Sequence, residues 1–460
     1  LRGGCCMFEK WFKLKEHGVD VKGELAAGLT TFMTMAYILA VNPSILGVTG
    51  MSVGGVLIAT AISSAIACFC MAFFSNLPFA LAPGMGINAY FAYTVVLGMG
   101  YSWQFALFAV FLEGIIFILL SLTNVREAIF NSIPLSLKNA VGAAIGLFIA
   151  FIGLQNGKIV QDNPATLLSE VVYKDSIKTA GIYAILTLLG VIFIAVLAYK
   201  KVRGALLIGM LGIWVVGILA QAIGLYVPNP EAGFFSLYPS WSWPDFAGFG
   251  SLFGQCFSSA AFANFNVADF FIIMFSFLFV DIFDTLGTLV GVASRSNMLD
   301  EEGRLPGIKG ALLADAVGTT VGAICGTSTV TTFVESSAGV AEGGRTGLVP
   351  LTVGVLFLIA IILSPIFIAI PSFATAAALI YVGFLMMSAI LKVDFDDLTE
   401  AIPAYITLIA MPFFYSISAG IMWGIIFYVL INMLTGKFKK ISPLMYVLAI
   451  IFILKMIFLG

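Results

Sequence analysis

Residues 78–99, PFALAPGMGINAYFAYTVVLGM, form an apolar segment that cannot be one unbroken helix. Two prolines, Pro78 and Pro83, interrupt helical hydrogen bonding, and two glycines follow Pro83 within three residues. The sequence therefore predicts that this segment starts extended and becomes helical near Met85.

A second broken segment lies at 326–341, GTSTVTTFVESSAGVA. Residues 326–332 are rich in β-branched side chains and predict an extended start, followed by a half-helix around Phe333 to Ala341. Irregular backbone at membrane depth is tolerated only where it is buried in protein or lines a cavity, and half-helices bring free N–H groups to the middle of the membrane. The two segments therefore predict a binding site where they meet.

Apolar spans of membrane-crossing length surround both segments. Hydrophobic residues make up 61% of the chain and charged residues 10%, whereas soluble domains carry about a quarter of charged residues. A span needs roughly 20 apolar residues. The predicted spans are 24–43, 53–75, 78–99, 103–121, 138–156, 179–198, 204–226, 268–292, 311–325, 326–341, 345–370, 372–391 and two short crossings within 402–434, broken near Pro412. Residues 442–459 form either an extra span or an interfacial helix.

Lysine and arginine are distributed unevenly between the predicted loops. Cytoplasmic loops are enriched in both residues, and the connection at 227–267 has neither, which predicts an external loop. A cytoplasmic amino terminus then places most basic loop residues in the cytoplasm. These residues are Arg126, Lys200, Lys201, Arg203, Arg295, Arg304, Lys309, Arg345 and Lys392. The expected location is the plasma (cytoplasmic) membrane, with the lipid bilayer as surroundings.

Polar residues form a stripe on the eighth predicted span. Asp281, Asp284, Thr285 and Thr288 have the spacing of one helical face. A charged side chain at the bilayer centre costs at least ~2.5 to 3.5 kcal/mol on insertion scales, so two carboxylates there need partners, water or a function. We interpret both as functional, the alternative being that one only bridges a neighbouring helix.

Four residues of the broken segments are further candidates for binding. Glu335 starts the second half-helix, where the helix dipole favours its anion and burial opposes it; simple capping is the alternative. Asn88 offers a donor and an acceptor, although a buried Asn is often structural. Phe333 is a candidate for stacking on a ring, and Ser336 follows Glu335 directly.

Two further acids lie within predicted spans. Glu113 is interpreted as a contact between domains rather than a binding residue. Asp315 is equally compatible with a functional and a structural role.

Several functional classes are disfavoured by composition. The single histidine, His17, excludes a His-based metal site or proton relay, so any proton chemistry must use carboxylates. Neither Gly84-Met-Gly86 nor Glu342-Gly-Gly-Arg345 matches a phosphate loop, which disfavours an ATP-driven pump. The sequence also has no nucleophile–base pair of the kind that would suggest an enzyme. A net charge of −2 gives no reason to expect nucleic acid as a partner. No cofactor is expected beyond a coupling ion.

Five runs of the sequence resemble one family of permeases. The runs are GLTTFMTMAYILAVNPSIL (28–46), APGMGINAYFAYTVVLGMGYSWQ (82–104), FVDIFDTLGTLVGVASR (279–295), GTSTVTTFVESSAGVAEGGRTGL (326–348) and DFDDLTEAIPA (394–404). They resemble the azaguanine-type adenine, guanine and hypoxanthine permeases of the nucleobase-cation symporter group, which includes xanthine/uracil permeases. The resemblance covers nearly all of the chain after Met7.

This resemblance implies an all-α polytopic membrane fold. It has about fourteen spans in two inverted repeats of seven, with short extended stretches in spans three and ten. A core domain would comprise 1–122 (spans one to four) and 268–371 (spans eight to eleven). A gate domain would comprise 123–267 and 372–460.

The resemblance also implies roles for particular residues. The family's substrate-binding acid on span eight falls on Asp281, where many relatives carry Glu, and its second acid falls on Asp284, next to Thr285. The glutamate of span ten falls on Glu335 and the asparagine of span three on Asn88.

The implied function is secondary active import of purine nucleobases (adenine, guanine, hypoxanthine) in symport with protons, by alternating access. Asp281 and Glu335 would bind the base, and one of them would take the coupling proton. Another small solute such as uracil, xanthine or an anion is the alternative on the same fold. The sequence leaves open the preferred purine, sodium in place of protons, and the oligomeric state, a homodimer being one option.

Overall fold

Long apolar helices account for most of the structure, a computed structural model that describes residues 9, 11–122, 134–229, 234–239, 243–263, 266–295, 298 and 305–458. Arg126 and Arg304, two of the predicted cytoplasmic residues, lie outside the described residues, as does the side chain of Arg295.

The amino-terminal part of the chain contains nine helices and three strands within the described residues. They are α1 (Val21–Met35), α2 (Ile38–Gly47), α3 (Val53–Phe74), β1 (Leu81–Pro83), α4 (Met85–Ala89), α5 (Trp103–Ser121), α6 (Leu135–Asn156), β2 (Val160–Asn163), β3 (Leu167–Glu170), α7 (Tyr173–Ser176), α8 (Ile182–Tyr199) and α9 (Ala205–Ala222). π-helical turns continue α4 over Tyr90–Gly98 and precede α8 over Ile177–Gly181.

The carboxyl-terminal part contains ten more α-helices and one strand within the described residues. They are α10 (Phe246–Leu252), α11 (Val267–Arg295), α12 (Ile308–Cys325), β4 (Val330–Thr332), α13 (Ser336–Ala341), α14 (Leu348–Ala360), α15 (Ser364–Ala369), α16 (Ser372–Met387), α17 (Leu398–Phe413), α18 (Ile417–Leu434) and α19 (Pro443–Phe458).

Eight helical stretches among the described residues are long and apolar enough to cross a membrane. They are Val21–Gly47, Val53–Phe74, Trp103–Ser121, Leu135–Asn156, Ile177–Tyr199, Ala205–Ala222, Ile308–Cys325 and Ser372–Lys392. Shorter apolar helices accompany them, including α14, α17 and the helix at 443–454. The arrangement of fourteen spans in inverted repeats stays a prediction.

The helices pack in two groups. In the first helix group, α3 packs against α12 and α14, α5 packs against α11 and α12, and α1 packs against α14. In the second helix group, α6 packs against α16 and α17, α8 packs against α9 and α16, and α17 packs against α18. Small residues permit the closest approach, because a Cβ on Gly383 of α16 would lie 2.5 Å from the Gly146 carbonyl of α6. The boundaries of the predicted core and gate domains stay predictions.

Both broken segments have the predicted form. The first is extended at β1 and becomes helical at Met85, and the second is extended at β4 before a half-helix that begins at Ser336. The second half-helix therefore starts three residues later than predicted. Its predicted start, Phe333, instead follows the strand directly.

The stretch 402–434 is divided between two helices, α17 and α18, with a break close to the predicted one, and the two crossings stay a prediction. Pro412 lies in the last turn of α17, and the break follows at Phe414 to Ser416. Ser416 ends the break because its hydroxyl accepts a hydrogen bond from the amide of Ala419 at 3.2 Å and caps α18. The hairpin formed by β2 and β3 was not predicted from the sequence.

Candidate functional site

The two broken segments pair with each other. Strands β1 and β4 are antiparallel, with Ala82 opposite Thr331. The pairing extends past both ends of β4, because the amide of Phe333 donates to the carbonyl of Ala80 at 3.0 Å and the amide of Gly84 donates to the carbonyl of Thr329 at 3.1 Å. Backbone groups deep in an apolar protein need such partners. The pair thereby fixes the starts of the two half-helices, α4 and α13, which leave it at opposite ends.

Side chains of four helices hold β4 and the segment that leads into it. Four hydroxyl residues between positions 327 and 331 each contact a different polar side chain. These contacts are Thr327 with Asn42 at 2.8 Å, Ser328 with Asn88, Thr329 with Glu113 at 2.8 Å and Thr331 with Thr285 at 2.6 Å. Asn42, Asn88, Glu113 and Thr285 are all fully buried. Hydrogen bonds between buried side chains of this kind restrict the backbone to one arrangement.

A cavity of about 140 Å³ lies between these segments and α16. One wall carries two carboxylates, three threonines and two aromatic rings, while the wall from α16 is apolar. The lining residues are Tyr37, Gly84, Met85, Gly86, Asp284, Thr288, Thr331, Thr332, Phe333, Val334, Glu335, Val382, Leu385 and Met386. The volume is well above the ~10–15 Å³ that a single water requires. A small flat molecule with several N–H donors matches such a lining in chemistry.

Glu335 reaches the cavity from the residue directly before α13. Its Oε1 accepts a hydrogen bond from the hydroxyl of Tyr37 at 2.6 Å. Phe333, two residues earlier, also lines the cavity, so the turn between β4 and α13 presents a carboxylate and a ring together. Asp284 adds a second carboxylate to the lining from α11.

Asp281 and Thr285 lie one layer behind the cavity. The Thr285 hydroxyl oxygen is 3.2 Å from Oδ1 of Asp281, 2.8 Å from Oδ1 of Asp315 and 2.6 Å from the hydroxyl of Thr331. Thr331 belongs to the lining, and it connects this buried cluster to the cavity. Asp281, Thr285 and Asp315 are each fully buried.

The predicted site residues therefore fall into three places. Glu335, Asp284 and Phe333 line the cavity, and Asp281 and Thr285 form the cluster behind it. Ser336 and Asn88 serve the backbone around the strands: Ser336 accepts from the amide of Ala80 at 2.9 Å, and Asn88 accepts from Ser328. Which of these residues contact a ligand stays a prediction.

Sequence reasoning missed four cavity residues. Tyr37 lies in an apolar stretch, where a tyrosine ring usually packs against its neighbours. The available signal was its hydroxyl, because a buried hydroxyl normally has a hydrogen-bond partner. Val382, Leu385 and Met386 follow the helical spacing of one face of α16. Nothing distinguishes them in the sequence from lipid-facing residues of the same helix.

A second set of contacts joins the helix groups away from this cavity. Tyr93 and Thr94 lie in the π-helical turns after α4, and Tyr415 lies between α17 and α18. The Thr94 hydroxyl donates to the carbonyl of Tyr415 at 3.2 Å, and the rings of Tyr93 and Tyr415 meet edge to face at 5.7 Å. Tyr415 also donates to Gln155 of α6 at 2.8 Å. These contacts join the turns after α4 to the second helix group.

Membrane-length helices, a pair of broken segments and an acid-lined cavity between two helix groups define a polytopic membrane transporter. The sequence model described as a permease family, Xan_ur_permease, matches residues 22–423. The chain belongs to this family and is an integral membrane permease.

Individual relatives match over almost the whole chain. The adenine permease AdeP of Escherichia coli is 40% identical over 98% of this chain and 96% of its own length. The guanine/hypoxanthine permease PbuG of Bacillus subtilis is 43% identical over 98% of this chain and 99% of its own length. Among solved structures, the transmembrane domain of the cyanobacterial bicarbonate transporter BicA aligns with a TM-score of 0.64 at 15% identity, covering 87% of this chain and 97% of that domain. The last match shows a shared fold.

Proposed function

We propose that this chain imports purine nucleobases across the plasma (cytoplasmic) membrane in symport with protons. The observation that carries this proposal is the cavity that Glu335, Asp284 and Phe333 line together. Purines present N–H donors on a rigid edge and an aromatic face, which suit carboxylates and a ring respectively. Relatives named as adenine and guanine/hypoxanthine permeases, matched over nearly the whole chain, support the same substrate class.

The proposed architecture is fourteen spans in two inverted repeats of seven. The first helix group corresponds to the core domain (spans one to four and eight to eleven) and the second to the gate domain. Two features support this division: the strongest packing stays within each group, and the cavity lies where the groups meet. A site at such a meeting point suits alternating access, in which one group moves against the other around the ligand.

The present conformation is proposed to be open toward the cytoplasm. Val382, Leu385 and Met386 lie in the last two turns of α16, the end that the predicted topology puts toward the cytoplasm. The contact between Thr94 and Tyr415 lies at the predicted external end and closes it. Entry from the outside would require this contact to separate. The amino terminus is proposed to be cytoplasmic, in agreement with the basic loops.

Proton coupling is supported by the hydrogen-bonding pattern around Thr285. A hydroxyl has one hydrogen and two lone pairs, yet Thr285 lies within bonding distance of two carboxylate oxygens. A proton on Asp281 would resolve this, because Asp281 would donate to Thr285 and Thr285 would donate to Asp315. Thr331 would then donate to the remaining lone pair of Thr285. We propose that the coupling proton resides on this pair of aspartates or on Glu335.

The shared fold with BicA raises anion transport as a second candidate. The lining opposes it, because a bound anion would meet the carboxylates of Asp284 and Glu335 in the cavity. Uracil and xanthine remain candidates within the family, since each also carries N–H donors on a ring.

Competition experiments test the substrate class. Cells that express this chain and lack other nucleobase permeases are expected to take up labelled adenine or hypoxanthine, with unlabelled purines competing and bicarbonate or sulfate having no effect. Competition by uracil alone, or uptake of a labelled anion instead, would contradict the proposal. Cells carrying an empty vector provide the background.

A further inference from the structure

Tyr37 lies at the break between the first two helices. α1 ends at Met35 and α2 begins at Ile38, while Tyr37 keeps helical backbone angles (φ −56°, ψ −24°). The residue is 1% exposed, and its side chain extends to the cavity. The short break between two helices, and not a loop, therefore brings this buried tyrosine to the cavity.

Residues on one face of α1 contact α13 and the residue before it, next to the contact between Tyr37 and Glu335. Thr31, Thr34 and Tyr37 are spaced three apart and share a side of the helix. A Cβ on Gly339 of α13 would lie 2.1 Å from the Thr31 hydroxyl oxygen, and the Thr34 hydroxyl is 3.5 Å from the carbonyl of Glu335. The first span therefore runs directly along the half-helix that presents Glu335.

The Tyr37 hydroxyl acts on one particular oxygen of the Glu335 carboxylate. The O–H donates to Oε1 at 2.6 Å, within the range of strong charge-assisted bonds. Free rotation of a glutamate side chain would let its carboxylate point in several directions, and this bond selects one of them.

We infer that Tyr37 is a positioning residue that fixes the Glu335 carboxylate in the cavity and so raises the affinity for ligands with N–H donors. This inference rests on the proposed function, because the ligand it names is the purine. Tyr37 contributes by orienting Glu335 before the ligand arrives, which lowers the cost of ordering the site upon binding.

Removal of the hydroxyl alone gives the most direct test. Tyr37→Phe keeps the ring and should weaken equilibrium binding of labelled hypoxanthine or adenine by about ten-fold or more, as expected for a lost hydrogen bond to a charged group. In transport, KM should rise more than the maximal rate falls.

A matched control is available at Tyr226, beyond the end of α9. It is also 1% exposed, and its hydroxyl donates to the carbonyl of Phe235 at 2.6 Å, on the second helix group. Tyr226→Phe removes an equivalent bond and should leave purine affinity within two-fold of wild type. Melting temperatures of both purified variants show whether either substitution affects folding.

A double-mutant cycle separates positioning from general structural support. If Tyr37 acts through Glu335, adding Tyr37→Phe to Glu335→Ala, which leaves no acceptor for the Tyr37 hydroxyl at that position, should change affinity far less than it does in the wild-type background. Full additivity would overturn the inference, as would wild-type affinity in Tyr37→Phe. If Tyr37→Phe does not fold, Glu335→Asp replaces it. The charge remains but the shorter side chain withdraws from Tyr37, so the same ten-fold loss of affinity is expected. Wild-type affinity in Glu335→Asp would again refute the role of Tyr37. Absence of purine binding by the wild-type chain would instead refute the proposed function.

Discussion

Glu335→Gln is expected to abolish accumulation of purine against a gradient while the protein remains folded in the membrane. Glutamine has nearly the same volume and can still accept the bond from Tyr37, but it cannot carry a negative charge or exchange a proton. The lost charge-assisted bond is worth about 1.5 to 3 kcal/mol, so affinity should fall by roughly ten- to a hundred-fold. Equilibrium binding and concentrative uptake are to be measured in the same preparation.

A suitable control for Glu335→Gln lies at the other end of the same half-helix. Glu342 pairs with Arg203 at 2.5 Å and is not a lining residue of the cavity, so Glu342→Gln should leave purine affinity close to wild type. Retention of binding, accumulation and pH dependence in Glu335→Gln would reduce Glu335 to a helix cap and leave the aspartates as the coupling groups.

Asp281→Asn is expected to reduce purine uptake to the level of membranes that lack the protein. The substitution keeps the size of the side chain but replaces one acceptor oxygen by an N–H₂ group next to Thr285, and it prevents protonation. The amide N–H can donate to Thr285 as a protonated carboxyl would, so the variant keeps this bond and loses the exchange of a proton at position 281. Initial rates of labelled hypoxanthine uptake, normalised to the amount of protein in the membrane, give the measurement.

Asp269 offers the matched comparison for Asp281. It lies in the first turn of the same helix, α11, and its carboxylate also accepts a bond from a hydroxyl, that of Tyr101 at 2.6 Å. Asp269→Asn should therefore retain most of the uptake. Normal uptake by a normally expressed Asp281→Asn would show that the cluster behind the cavity has no part in transport.

Local chemistry predicted the broken segments well. Pro78 and Pro83 in one, and the β-branched residues before Phe333 in the other, act within a few residues, so the resulting breaks do not depend on the rest of the fold. The pairing of β1 with β4 is different, because it joins distant parts of the chain and no local pattern specifies it. The sequence thus predicted where the helices stop but not that the two extended segments pair with each other.

The two acids of α11 also show that local sequence does not specify contacts between distant parts of the chain. Helical spacing places Asp281 and Asp284 on one face, but the rotation of that face is set by packing. In the structure Asp284 lines the cavity, whereas Asp281 contacts Thr285, which in turn contacts Asp315. Tyr37 was missed because its importance comes from a hydrogen bond across the fold, to Glu335, which sequence spacing alone does not show.

Uptake into liposomes tests proton-coupled purine transport most directly. The purified chain is reconstituted without sodium, a pH gradient is imposed with the outside acidic, and labelled adenine and hypoxanthine are supplied. We expect accumulation above the external concentration that collapses when a protonophore is added. Failure to accumulate either purine, or accumulation that ignores the protonophore and follows a sodium gradient instead, would contradict proton-coupled purine transport by this chain.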